Sequence, residues 1–137
     1  MNELARCGMA FVYFNDYEGS CRALARMGFF LHADYGFARV YRAAAGFFVG
    51  AVAADKPQPD AKGVMLCLTY SSEEEVRAAR QRLECAGFSP SPAKTSERLS
   101  YYCFTVDGPE GYRFEIGHFT DPREGALLNP PVGTQWE

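Results

Sequence analysis

A chain whose second half runs through the same signals as its first folds by building one supersecondary unit twice. In the first half an apolar strand from Met9 to Phe14 meets Asn15-Asp16. A helical pattern follows from about Tyr17 to Met27, with Cys21, Leu24 and Met27 on one face. Asn15 followed by Glu18 has capping-box spacing, and Gly28 suits the position just past the helix end. Phe29-Phe30, a strand around Phe37 to Arg42, a small-residue turn ending at Gly46 and a strand from Phe47 to Ala53 complete the set. The second half opens with a strand from Val64 to Tyr70. Ser72 and Glu75 form a capping box, with Glu73 and Glu74 beside them at the positive end of the helix dipole. Val76, Ala79, Leu83 and Ala86 share a face, and Gly87-Phe88 ends this helix as Gly28-Phe29 ended the first. Strands from Ser100 to Val106 and from Tyr112 to His118 follow. Gly28 maps onto Gly87 with a shift of 59 residues and Gly46 onto Gly111 with a shift of 65, so the extra residues fall in the Ser89–Arg98 loop.

The predicted fold class is α+β, with a strand–helix–strand–strand–strand module occurring twice in tandem. The whole chain is read as a single domain: module one about 8–54, a Pro-containing linker 55–63, module two about 64–119 and a tail 120–137. A length of 137 residues with 47% hydrophobic composition supports a real core. A net charge of −3 argues against a nucleic-acid partner. No apolar run is long enough to span a bilayer, and the first residues lack a signal-peptide core, so no membrane partner and a cytoplasmic location are expected. Cys7, Cys21, Cys67, Cys85 and Cys103 form no C-x-x-C pair, and buried, reduced thiols are expected.

The most informative stretch is Phe104–Phe119, FTVDGPEGYRFEIGHF. An alternating strand enters a Gly-Pro-Glu-Gly turn, and a second strand carries one carboxylate, Glu115, among aromatic and aliphatic residues. A buried carboxylate costs several kcal/mol unless it is paired, protonated or bound to a cation. Alternation puts Arg113, Glu115 and Gly117 on one face and Tyr112, Phe114 and Ile116 on the other. The more apolar set should pack on a helix, leaving the first set to line a pocket. The same alternation adds Met9, Phe11 and Tyr13, then Phe48, Gly50 and Val52, then Met65, Cys67 and Thr69.

The candidate ligand-binding residues are therefore Phe11, Tyr13, Phe48, Met65, Cys67, Arg113 and Glu115. Glu115 is also the one catalytic candidate. Three roles stand open for it: a structural ion pair with Arg113 or another arginine, an acceptor for a cationic or hydroxylated ligand, or a general base, since a carboxylate in an apolar cavity without a cation titrates high. The aromatic residues and methionines could equally be plain core that fills the cup. Cys67 has no histidine placed to activate it as a nucleophile. One of Tyr101 and Tyr102 should point in and the other out. His118 should be a surface or interface residue on the face opposite Glu115.

In this order, Ser-Ser-Glu-Glu-Glu-Val, Leu-Glu-Cys-Ala-Gly-Phe and Gly-Pro-Glu-Gly-Tyr-Arg-Phe-Glu-Ile on a duplicated chain resemble the vicinal oxygen chelate superfamily of glyoxalase I, bleomycin-resistance proteins and extradiol dioxygenases. The resemblance covers roughly Met9 to Phe119 and implies two tandem βαβββ modules forming curved mixed sheets around a concave pocket. It implies one metal ligand early in the first strand of each module and one on the last, positions held here by Met9, Gly50, Met65 and Glu115. Only Glu115 could bind a hard or borderline cation through oxygen. No metal and no other cofactor are expected. The expected function is reversible, metal-independent binding of a small, partly aromatic or cationic molecule. The alternatives are a lyase, isomerase or dioxygenase using Glu115, and a non-catalytic scaffold with a filled pocket. A homodimer is expected, with Leu127, Leu128 and Trp136 of the tail lying across the partner.

Overall fold

The computed structural model describes residues 5, 7–59, 63–97 and 100–129. The chain divides into two compact units, unit 1 running to Asp60 and unit 2 beginning at Ala61. In unit 1, β1 (Gly8–Phe14) leads to α1 (Tyr17–Arg26), then to β2 (Phe30–Asp34), β3 (Ala38–Ala44) and β4 (Phe47–Ala53). In unit 2, β5 (Met65–Thr69) leads to α2 (Glu73–Cys85), β6 (Lys94–Ser96), β7 (Tyr101–Asp107) and β8 (Arg113–Phe119), followed by a short α3 (Pro122–Leu128). Each unit is thus strand–helix–strand–strand–strand with a four-stranded mixed sheet. The strand orders correspond: β1-β4-β3-β2 in unit 1 and β5-β8-β7-β6 in unit 2. In both, the first strand pairs parallel with the last, a pairing that requires the helix as crossover.

The two helices end in the same way for the same reason. Past α1, Phe29 N–H reaches Leu24 O and Gly28 N–H reaches Ala25 O; past α2, Phe88 reaches Leu83 and Gly87 reaches Glu84. This Schellman closure needs a left-handed residue, and Gly28 and Gly87 supply φ of 97° and 95°. Leu24, Cys21 and Ala23 of α1 are buried with Val12, Phe14, Tyr41, Val49 and Ala51 of unit 1. Val76, Ala79 and Leu83 of α2 are buried with Leu68, Phe104, Val106, Phe114 and Ile116 of unit 2. One face of each sheet therefore packs on its helix; the other, called the open face below, is only partly exposed, with Ala38 and Val40 of unit 1 and Tyr101 of unit 2 buried on it.

Four sequence expectations need correction. The N-cap of α1 is Asp16, not Asn15: its carboxylate accepts from Gly19 N–H, while Asn15 exchanges hydrogen bonds with Gln58 across the unit. Ser72 does cap α2 through Glu75 N–H, but the Glu75 carboxylate turns to Ser71 instead of closing the box on Ser72. The Ser89–Arg98 loop contains the edge strand β6. Three residues are too few for their alternation to show in sequence. Finally, only Cys21 is buried; Cys7, Cys67 and Cys85 are exposed and Cys103 is intermediate, all of them free thiols. Cys67 and Cys103 sit on an open sheet face, where an apolar run does not imply a cover.

The tail expectation is partly redrawn. α3 begins at Pro122 with Asp121 as its cap, accepting from Arg123 N–H. Asn129 then ties its side chain to both the N–H and the C=O of Phe119 at the end of β8. Leu128 is exposed. Trp136 and the side chain of Leu127 lie outside the described residues. No described helix is long and apolar enough to cross a membrane.

Candidate functional site

The open face of unit 1 is apolar and bare. β1 alternates so that Val12 and Phe14 are buried while Met9, Phe11 and Tyr13 are exposed, Phe11 at 61%. Beside them the register brings Phe48, Gly50 and Val52 of β4, paired with Met9, Phe11 and Tyr13 in turn. Val40 and Arg42 of β3 follow opposite Gly50 and Phe48. A cavity of about 360 Å³ opens on this face. It is lined by Cys7, Gly8 and Met9, by Val40 and Phe48, and by His32 and Tyr35.

His32 follows Leu31, which pairs with the helix-side Tyr41, so strand alternation brings it to the open face, where it lines the cavity. Leu31 pairs with Tyr41 and Ala33 with Val40, so His32 between them is the extra residue. Its imidazole lies 5.5 Å from the Phe48 ring centre at a tilt of 59°. The same bulge turns Asp34 to the helix side, where it pairs with Arg39 at 3.1 Å. Arg39 also binds Glu18 of α1, and both carboxylates stabilise its cationic form further. Sequence reading places no residue of β2 in the site. Cys7 and Tyr35 lie just beyond strand ends, where period two gives no signal.

The open face of unit 2 is more polar. Cys67 stands opposite Glu115, and Glu115 opposite Thr105, in neighbouring strands. The Cys67 Sγ donates to Glu115 Oε1 at 3.9 Å and lies 3.1 Å from the Tyr101 Oη. A thiol has one proton, so if it points to Glu115 the phenol must donate to sulfur. The result is a chain running Tyr101 to Cys67 to Glu115. Burial pushes the Cys67 thiol above its ordinary value; the Glu115 carboxylate adds to this and the Tyr101 hydrogen bond opposes it. Burial, and then Cys67, push the Tyr101 phenol far up as well. Burial does the same to the Cys103 thiol, with Glu115 again contributing. All three therefore keep their protons at neutral pH.

An Arg113–Glu115 ion pair, part of one of the three roles left open for Glu115, does not form. Arg113 instead binds Asp107 across the β7–β8 turn at 3.2 Å. Side chains two apart on a strand point the same way but stand well separated, and the cross-strand partner wins. Of the two tyrosines, Tyr101 points onto the open face and is only 2% exposed, while Tyr102 points to the helix side under Arg77. Tyr101 stacks on Phe119 with ring centres 4.3 Å apart. His118 faces away from Glu115 and binds Tyr70 O through Nδ1 at 2.9 Å, so it tethers the end of β5.

Of the seven predicted site residues, Phe11, Tyr13 and Phe48 share the face of unit 1, and only Phe48 lines the cavity. Met65, Cys67, Arg113 and Glu115 share the face of unit 2, all four on β5 and β8.

Among solved structures, a glyoxalase/bleomycin resistance protein/dioxygenase from Nocardioides superposes with a TM-score of 0.72 at 17% identity, covering 98% of this chain and 91% of that one. A possible glyoxalase from Bacillus cereus gives 0.62 at 24% identity over 80% of this chain and 96% of that one. The bleomycin resistance determinant encoded on transposon Tn5 gives 0.65 at 11% over 80% and 94%. The chain has the vicinal oxygen chelate fold. No family model and no curated protein matches the sequence.

The metal that this fold family often carries does not fit the residues present. Met9, Gly50 and Met65 offer two thioethers and no side chain at all. A Cβ built on Gly50 would lie 2.8 Å from the Phe11 ring and 3.2 Å from the Met9 sulfur, so the Phe11 ring occupies the space a ligand would need. Among the described residues no three His, Cys, Asp or Glu side chains gather as a metal cluster.

Proposed function

We propose that this vicinal oxygen chelate protein binds a small, partly aromatic or cationic molecule, without a metal, on the open faces of its sheets. The observation that carries the reading is the bare apolar face of unit 1 with its cavity of about 360 Å³ against Met9, His32, Tyr35 and Phe48. That volume is in the range of small-ligand sites, and a hydrophobic, aromatic lining with few polar groups is their usual make-up. On the face of unit 1 the proposed ligand contacts are Phe11, Tyr13 and Phe48; on the face of unit 2, taken by itself, they are Met65, Cys67, Arg113 and Glu115, with Glu115 as acceptor for a cationic or hydroxylated group. A cytoplasmic setting is part of the reading, supported by the free thiols. The test is a thermal-shift and dialysis screen of small aromatic compounds against wild type and Phe48→Ala. Saturable binding that Phe48→Ala weakens supports the reading; no binding at millimolar concentration sinks it.

A second reading is favoured by the Tyr101–Cys67–Glu115 chain: a lyase, isomerase or dioxygenase of the superfamily in which Glu115 acts on substrate. Elemental analysis separates the two. Stoichiometric Zn, Ni, Mn or Fe in purified protein, or a fall in Tm of several degrees on chelation, overturns metal independence. A homodimer belongs to the proposal as well. Phe30, Tyr35 and Phe37 are exposed at 65–71% around edge strand β2, an apolar edge that a second copy would cover. Light scattering at micromolar concentration returning 15.2 kDa excludes it.

A further inference from the structure

The open face of unit 2 is exposed at one end and closed at the other: Met65 is 48% exposed and Tyr101 2%. The closed end is where α3 comes down. β5 stops at Thr69, and the chain's last bond to β8 there is Tyr70 N–H to Gly117 O at 2.8 Å. A side chain takes the next rung of the ladder. Asn129 Nδ2 donates to Phe119 O at 2.8 Å, and Asn129 Oδ1 accepts from Phe119 N–H at 2.9 Å. A carboxamide carries the same donor and acceptor as a peptide unit, so it stands in for the strand residue that β5 lacks. One residue earlier, Leu128 O accepts from the Thr69 hydroxyl. Thr69 is the cross-strand partner of Gly117, on which the Tyr101 ring lies, and Phe119 stacks on that ring. The end of α3 is therefore fastened to the residue stacked on the buried phenol and to the partner of the glycine beneath it.

Among the described residues α3 is held by polar ties. It has seven residues, too few to persist alone in water. Pro122, Arg123, Glu124, Ala126 and Leu128 are exposed. At its start the Thr120 N–H and hydroxyl both bind Ser100 O, and Asp121 caps the first turn. An element tied by hydrogen bonds beneath exposed side chains belongs to the low end of local stability.

We infer that α3 is a strap that closes over Tyr101, with Asn129 as its latch. In the closed state Tyr101 is kept from water, and its Oη stays 3.1 Å from Cys67 Sγ, so the chain from Tyr101 through Cys67 to Glu115 is held together. In the open state the Asn129 and Thr69 bonds pass to water, the chain turns about Thr120, and the phenol is reached from the Phe119 end. The sheet survives this, because β8 pairs with β7 along its other edge. The strap governs what reaches Tyr101 whether or not the face takes a ligand.

Hydroxyl-radical oxidation at Tyr101 reads the strap. Tyr102, which faces the helix side under Arg77, is the internal reference. Asn129→Ala removes both bonds to Phe119 and should raise the Tyr101-to-Tyr102 oxidation ratio on the order of tenfold, as expected for the loss of two hydrogen bonds. Thr69→Val removes the bond to Leu128 O and should raise it by less. Tm should fall by a few degrees at most, since the core between α2 and the sheet is untouched. In wild type, urea well below the unfolding midpoint should raise the ratio before the far-UV circular dichroism changes. If Tyr101 and Tyr102 gain oxidation together, the sheet has opened as a whole and α3 is no independent strap. If the ratio keeps its wild-type value in both variants and in urea, something other than α3 buries Tyr101 and the inference is overturned. Should Asn129→Ala fail to fold, Thr69→Val and wild type in urea still decide.

Discussion

The two units share one topology and differ at the position where their first and last strands meet. In unit 1 that meeting is Phe11 opposite Gly50; in unit 2 it is Cys67 opposite Glu115. The missing side chain of Gly50 is filled by the Phe11 ring, and the face stays apolar. In unit 2 a glycine appears two residues later instead, and Tyr101 lies on Gly117: a Cβ there would come within 2.3 Å of the phenol ring. Each sheet thus lays one aromatic ring on one glycine. Phe11 does so at the surface and Tyr101 in near-complete burial. The comparison teaches that a duplicated fold can keep its backbone pairing while exchanging which strand supplies the ring. That exchange makes one face a greasy surface and the other a set of held protons.

The largest expected effect tests whether β8 has the orientation this comparison assumes. Phe114 is 1% exposed against α2, so Phe114→Ala should cost roughly 3–5 kcal/mol. Its counterpart in unit 1 is the smaller Val49, equally buried, where Val49→Ala should cost about 2 kcal/mol. Glu115→Gln, on the opposite face, should stay within about 0.5 kcal/mol in chemical denaturation. A Glu115→Gln change more damaging than Phe114→Ala would make the carboxylate a structural element and break the comparison.

The glycines come next. Gly117→Ala drives a methyl into a ring that is buried and stacked on Phe119, so a loss of about 1–3 kcal/mol is expected. Gly50→Ala meets a ring that is 61% exposed and free to swing outward, so its cost should be about 1 kcal/mol or less. A double-mutant cycle sharpens this. Adding Phe11→Ala to Gly50→Ala should remove the penalty, and adding Tyr101→Phe to Gly117→Ala should not, because the ring remains. Equal costs at the two glycines would mean that the Tyr101 ring is as mobile as Phe11.

Much of this architecture is legible in sequence. Gly28-Phe29 and Gly87-Phe88 mark the helix ends because a left-handed residue is nearly obligatory there. The alternation of Arg113 to Phe119 gives the right face for Glu115 and Phe114, since an unbroken strand fixes parity over its whole length. What alternation cannot carry is anything that interrupts it or compares strands. The β2 bulge that turns Asp34 to the helix side leaves no trace in FLHAD. The preference of Arg113 for Asp107 depends on a cross-strand distance, and the burial of Tyr101 depends on Gly117 lying beneath it. The candidate site was harder to read than the fold because it is built from such neighbours, while the fold is built from periods.

The smallest expected effect concerns the proton chain of unit 2, which unit 1 lacks because Phe11 stands where Cys67 does. The Cys67 thiol is pushed up first by burial and next opposed by Tyr101, with Glu115 adding to the upward push. Those contributions have opposite signs under substitution. Removing the negative charge with Glu115→Gln should lower the pH midpoint for Cys67 alkylation by a fraction of a pH unit, since the thiolate no longer faces a carboxylate. Removing the phenol with Tyr101→Phe should raise it, since the thiolate loses the hydrogen bond that stabilises it. The measurement is the rate of carbamidomethylation at the Cys67 peptide against pH, followed by mass spectrometry. In wild type the rate should still be climbing above the ordinary thiol range near pH 8.5. Two shifts of the same sign, or a midpoint that ignores Glu115, would mean that sulfur and carboxylate are not neighbours in solution. Unit 2 would then offer its carboxylate to a ligand directly, with no thiol between them, and the contrast with unit 1 would reduce to a glycine against a glutamate.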